Sequence, residues 1–476
     1  MRRSGSCTGP FTQEKHADGV KLVWKLEKRR AGVHMKRYGE AEPGFERAAF
    51  ERLLSEVEIP RFAEVEYRVG CPVLEQVEES VRTALRRSTA FGTIKAGQTV
   101  AITAGSREIA HIVEILRTVS EEIKRLGAIP YLVPAMGSHG GADADGQKAI
   151  LEGYGITEES TGAELRSSME VVCLGKTEDG FDVWLDACAM EADYIIPVGR
   201  IKAHTDFRGA VESGIVKMMV IGLGKQKGAS ICHKMGFDRM GQNLIRFAEV
   251  ILRKAPILLG LGIVENARHE TAYIEAVPAG RILKREPELL NYAKSLMARI
   301  PFDKIDVLVV SRMGKEISGA GMDPNVTGRS GTLAADVPHA EKIAVLDITE
   351  KSAGNSAGMG NADVITKRLY DKIDRFPVYV NAITCRDTAG AKTPVVMPTD
   401  DLALRFCLHT CVRRDAAQNG RIVWLRDTAD LSRFWISEPL LLEAAKDERL
   451  TVTGEPGKVT FEDTMCSCTK ESFIYP

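Results

Sequence analysis

The sequence predicts an α/β protein: two α/β domains with mainly parallel sheets and a cleft between them. Three observations lead there. Buried-strand runs alternate with amphipathic helical stretches, twice over, along the chain. Glycine-bearing loops follow several of the strands, as in open α/β sheets. And 476 residues exceed what one simple core serves, so two domains are expected.

Taken in order, residues 1–43 show little periodicity and read as a flexible extension, whose first 34 residues precede the more ordinary opening at Met35. Residues 44–280 form the expected N-terminal domain. In it "QTVAITAG" reads as a buried strand, "SREIAHIVEILRTVSEEIKRLG" as an amphipathic helix ending at Gly127, and "AIPYLVPAMGSHGG" as the next strand and its loop. "ADYIIPVGRI" (192–201) and "ILLGLGIVEN" (257–266) continue the strands. The charged stretch "RILKREPELLNYAKSLMARIPF" reads as a helical connector into the second domain, 281–476. There "KIDVLVVSRMG", "EKIAVLDITE" and "FPVYVNAIT" read as strands and "MGNADVITKRLYDKI" as a helix.

Composition excludes several function classes. Apolar residues make up 44% and charged residues 27%, which excludes a disordered or fibrous chain. Lys plus Arg (64) balances Asp plus Glu (65), so no overall field recruits nucleic acid or an anionic membrane. No apolar run approaches the roughly 20 residues of a membrane span, and no signal-peptide core is present, so a cytoplasmic location is expected. Ten cysteines are scattered without a CxxC pair and are expected to be reduced; "CSC" at 466–468 is weak evidence for a soft metal.

Ligands in α/β sheets gather past the carboxyl ends of strands. There the sequence places Arg107, His139, the group Arg200, Lys202 and His204, and Lys315. His139 lies between Gly137 and Gly140, and His204 lies in "KAHTDFRG". Each could be an ordinary surface histidine, and the two could equally be a general acid/base pair, since imidazole titrates near neutrality. Lys217 stands in the apolar run "GIVKMMVIGLG". A buried ammonium is costly unless paired, and a neutral lysine amine is a nucleophile that can join a cofactor covalently. His233 follows sixteen residues later and is a candidate transition-metal ligand. "IGLGKQKG" lacks the spacing of a phosphate-binding loop, and no dinucleotide fingerprint is present.

"MGSHGGA", "RIKAHTDFRGAVESGIVKMM" and "GLGKQKGASICHKMG" together resemble the lactate racemase superfamily of nickel-pincer nucleotide enzymes, over roughly residues 65 to 400. The resemblance implies a racemase or epimerase of a small-molecule 2-hydroxy acid. Its cofactor would be nickel held by pyridinium-3-thioamide-5-thiocarboxylic acid mononucleotide. By the same resemblance Lys217 carries the thioamide link, His233 ligates nickel, and His139 and His204 are the acid/base pair. Ser106, Arg107, Gly137 and Gly222 belong to the cofactor site, and Arg107 and Lys315 to the substrate. The implied partners are cofactor-biosynthesis proteins, and a homo-oligomer is open. Characterised members carry Asp-x-x-Arg where this chain has Ala104-Gly105-Ser106-Arg107. In the second domain Glu316, Asp323, Asn325 and Arg329 accompany Lys315, which suits a larger, polyhydroxylated acid. Two rival readings stand beside this one. One is a zinc or iron hydrolase with His139, His204 and His233 as ligands. The other is a non-catalytic nucleotide-binding homologue.

Overall fold

Val307, Leu308, Val309 and Val310 are all wholly or almost wholly buried, which is the signature of a central parallel strand covered on both faces. They belong to one of two large α/β layers in the computed structural model, which describes residues 47–466 except 106–107, 237, 331–339, 386–387, 414 and 463–464.

The first layer holds β2 (Thr99–Ala104), β3 (Ile129–Pro134), β4 (Glu164–Leu165) and β7 (Tyr194–Ile196), once β1 (Phe62–Tyr67) has been set aside. They run in the order β4-β3-β2-β7, all parallel. Between β4 and β7 lies an antiparallel hairpin of β5 (Val171–Lys176) and β6 (Asp182–Asp186). The run expected as a single strand at 192–201 is two. Pro197, which has no N–H to give to a ladder, separates β7 from β8 (Val198–Arg200). β8 then joins a different sheet, parallel to β9 (Leu259–Glu265), which pairs antiparallel with β10 (Thr271–Pro278). The buried Thr103 hydroxyl holds the step between sheets, accepting the Val198 N–H at 2.9 Å.

The helix expected from Ser106 spans Ile112–Arg125. His111 sits at φ +59°, a left-handed conformation that cannot continue a helix backwards. Ile112, Ile115, Leu116, Val119 and Ile123 face the core, as the 3.6-residue period requires.

The second layer adds β11 (Ile305–Met313), β12 (Ala340–Ile348), β13 (Val364–Thr366), β14 (Val395–Met397), β15 (Ile422–Leu425), β16 (Arg433–Ser437) and β17 (Leu450–Val452). The order is β14-β13-β12-β11-β15-β16-β1-β17, parallel from β14 to β15 and antiparallel beyond. β1 is therefore built into the sheet of the second half of the chain, with Phe62 and Val65 fully buried there. The connector is helical over Ile282–Ser295.

Two expectations in this half are corrected. The stretch 359–373 is not one helix: it holds β13, because Val364 and Ile365 fill the core beside β12. The stretch "FPVYVNAIT" is not a strand but part of the helix Arg375–Cys385. The Asp374 carboxylate accepts the Phe376 N–H at 2.9 Å at its start. The sheet edge beside β13 is already taken by β14.

Candidate functional site

A cavity of about 510 Å³ opens where the carboxyl ends of both layers meet. Gly105 follows β2, Met136 and His139 follow β3, Arg200 ends β8, and Lys315 follows β11; all line it. His204, Lys217, Gly222 and His233 line it as well. His139, Arg200, Lys202, His204, Lys217, Gly222, His233 and Lys315, all singled out in the sequence, are thus brought to one site. Gly137 stands just behind the wall, its N–H donating to the Gly222 carbonyl at 3.2 Å. Ser106 and Arg107 lie outside the described residues.

Lys217 ends the short helix Ile215–Lys217 and opens a π-helical turn, Met218–Gly222, closed by the Leu223 N–H on the Met218 carbonyl. Such turns recur at functional sites because the extra residue redirects side chains. Here Val216, Met219 and Val220 go into the core while Lys217 and Met218 face the cavity. The glycines allow close packing. A Cβ on Gly214 would overlap the Glu286 carboxylate, and one on Gly222 would meet the Ala135 carbonyl oxygen at 2.7 Å.

The Lys217 Nζ lies 2.6 Å from His204 Nε2. The other His204 nitrogen, Nδ1, accepts the Asp206 backbone N–H at 3.0 Å. A neutral His204 therefore carries its proton on Nε2, facing the lysine. The 2.6 Å contact sets the Lys217 amine directly against the His204 ring nitrogen. His204 is held well below the usual imidazole range by burial first and then by Lys217, Lys202, His233 and Arg208. His233 is also lowered, by burial and by Lys217, which keeps a lone pair for a metal.

The His204 loop is fixed from three sides. Its N–H donates to the fully buried Glu212 at 2.6 Å, and Lys294 pairs with the other Glu212 oxygen at 2.7 Å. Its ring stacks on Phe207 with centroids 4.2 Å apart. Its carbonyl accepts from Arg208 at 2.6 Å, and Arg208 also donates to Asn325 Oδ1 at 2.7 Å.

The expected second-half contacts are redistributed. Glu316, Asp323, Asn325 and Arg329 do not line the cavity. Arg329 is taken up by Asp363, and Asp323 and Asn325 bond to each other beneath the His204 loop. In their place Asn381 reaches the wall and accepts from Lys315 Nζ at 3.2 Å. Sequence reading missed Asn381 because the segment was taken for a strand. Among the described residues no group of three or more His, Cys, Asp and Glu is disposed to hold a metal. The three-histidine zinc or iron site is therefore not formed. No helix among them is long and apolar enough to cross a membrane.

Among solved structures, the chain is similar to the lactate racemase apoprotein from Thermoanaerobacterium thermosaccharolyticum. The identity is 13%, over 76% of this chain and 88% of that one, with a TM-score of 0.42. No curated protein matches. Residues 54–243 match the lactate racemase N-terminal domain, a span that contains His139, His204, Lys217 and His233. Over that span the chain thus resembles a lactate racemase N-terminal domain, and His139, His204, Lys217 and His233 within it all line one cavity.

Proposed function

We propose that the protein is an isomerase, a racemase or epimerase of 2-hydroxy acids, that works with a nickel-pincer nucleotide joined to Lys217. The observation that carries this reading is the Lys217 amine on the cavity wall, 2.6 Å from His204 Nε2 and close enough to His233 to depress its basicity.

The residues present fit such a group. The cavity has the size of a nucleotide-class site, and Ile109, Ile221, Ala229 and Leu244 supply apolar walls for a flat ring. Lys202 and Lys315 supply positive charge for anionic groups. His233 is a single protein donor, so a metal there must bring its remaining ligands with it, as an organic pincer does. When bound, the group supplies an acceptor for the C2 hydride of a 2-hydroxy acid.

The chain's own residues handle position and protons. Lys315, with Asn381 behind it, holds the substrate carboxylate. One imidazole of His139 and His204 takes the hydroxyl proton; the other returns it when the opposite hand is formed. Each such group contributes about 10²–10⁴-fold. Acylation of Lys217 removes a cation from beside His204, which frees that imidazole to act as a base. Enzymes that build the pincer nucleotide are partners on this reading. A cytoplasmic location goes with it, since the described cysteines Cys71, Cys173, Cys188, Cys232, Cys407 and Cys411 are free thiols.

The test is mass spectrometry of protein produced together with pincer-synthesising enzymes. The peptide containing Lys217 should carry a nucleotide-sized adduct, and Lys217→Ala should carry neither adduct nor nickel. His139→Ala and His204→Ala should keep the adduct and lose at least about 10²-fold in racemisation. Racemisation by protein whose Lys217 is unmodified would overturn the proposal.

A further inference from the structure

Lys225, Asp186 and Gln147 are all completely buried, and none of them lines the cavity. Lys225 Nζ lies 2.9 Å from Asp186 Oδ2 and donates to the Pro134 carbonyl at 2.7 Å and to Gln147 Oε1 at 3.0 Å. Three acceptors thus surround one ammonium. The Gln147 amide then uses its own hydrogens on the neighbouring loop. Nε2 donates to the Gly137 carbonyl at 2.9 Å and to the His139 carbonyl at 3.2 Å.

A buried ion pair is weak evidence for stability, because apolar residues of equal volume commonly serve as well. This one also holds Lys225 at φ +51°, a conformation that residues with a Cβ avoid. What the arrangement does achieve is connection. Lys225 is the first residue of the helix Lys225–Lys234, and His233 lies on that helix two turns further on. Asp186 ends β6 and caps the next turn by accepting the Ala189 N–H at 2.8 Å. One ammonium therefore ties the helix bearing His233, through one glutamine, to the backbone of the loop bearing His139.

We propose that Gln147, anchored by the buried Lys225–Asp186 pair, is a positioning residue. It fixes the His139 loop relative to the helix of His233 and so keeps the His139 imidazole on the cavity. The part of this inference that concerns turnover rests on the racemase reading; the part that concerns the loop does not.

Gln147→Glu separates the two. The side chain keeps its size and offers Lys225 a better partner, so the fold survives. It has no N–H, however, and sets an oxygen against the Gly137 and His139 carbonyls. In protein without cofactor, backbone amide exchange of residues 137–142 should quicken by about tenfold or more, with residues 215–222 unchanged. In cofactor-loaded enzyme kcat should fall by about 10–100-fold with KM changed by less than about threefold. Should Gln147→Glu not fold, Gln147→Met removes the same donors without a charge and should give the same two results. Unchanged loop exchange would overturn the proposal, as would faster exchange with full turnover. Failure of the racemase reading is distinguishable. The wild type would then lack the Lys217 adduct, while the exchange result would stand.

Discussion

Glu286 hides a carboxyl group behind the helix that carries Lys217. Its Oε2 accepts the Val216 N–H at 2.9 Å, while its buried Oε1 finds no hydrogen-bond partner among the described residues. Burial pushes this acid up to about 8, against the opposing pull of the Val216 and Ile215 N–H groups. An acid raised on folding binds its proton more tightly in the folded chain, so its contribution is fully present below the unfolded value. It is lost as pH rises towards the folded value. From this group alone, stability should fall by about 1.4 kcal/mol per pH unit between about pH 4.5 and pH 8, and then level off. Glu286→Gln mimics the protonated acid at every pH. Urea denaturation at pH 5, 6.5 and 8 should show the variant gaining steadily on the wild type. A constant difference across the three values would mean that the carboxyl is ionised throughout. In the sequence Glu286 is one charge among many in "LKREPELL", and only its tertiary placement sets it apart.

At the scale of elements, the π-turn from Met218 to Gly222 sets which lysine meets the cavity. Desolvation drew attention to Lys217, yet the completely buried lysine of that stretch is Lys225, whose charge Asp186 answers. The sequence period could not separate them, because the turn inserts an extra residue into the helical register. Gly222 closes this turn against the end of β3. Two effects compete in Gly222→Ala. Alanine gains roughly 0.5–1 kcal/mol in a helical position. Its methyl group would meet the Ala135 carbonyl oxygen at 2.7 Å and the carbonyl carbon at 3.0 Å, both backbone and neither free to move aside. Overpacking of that kind costs about 1–3 kcal/mol, so the clash should win and the variant should melt lower. A higher melting temperature would show that β3 and the turn can part without loss. His139 and His204 were legible because each follows a strand, and Lys217 and His233, on the helices Ile215–Lys217 and Lys225–Lys234, because of their own chemistry. Asn381 was not, because "FPVYV" is rich in strand formers and only the occupied sheet edge makes it helical.

The whole molecule is woven rather than strung. The alternation in "FAEVEY" announces a half-buried strand, and Ala63, Val65 and Tyr67 are buried as that period requires, while Phe62 is buried in the cluster on the opposite face. Nothing in the period says which sheet receives it. β1 crosses to the second layer, taking Ser437 through Arg433 on one side and Val452 through Leu450 on the other. Without it β16 would present an open edge and β17 would lose its partner in the sheet. Phe62 and Val65 are each fully buried, and side chains of that size contribute about 1.5–3 kcal/mol apiece. Together they rival a large share of the 5–15 kcal/mol that holds a domain folded. A fragment starting at residue 297 and running to 462 should therefore aggregate or melt without cooperativity. The same fragment with residues 46–70 joined to its N-terminus through a flexible linker should give a cooperative transition by circular dichroism. A cooperative transition in the shorter fragment would show that the second layer stands without the first strand. The cavity's two walls would then be separable units rather than parts of one chain folded back on itself.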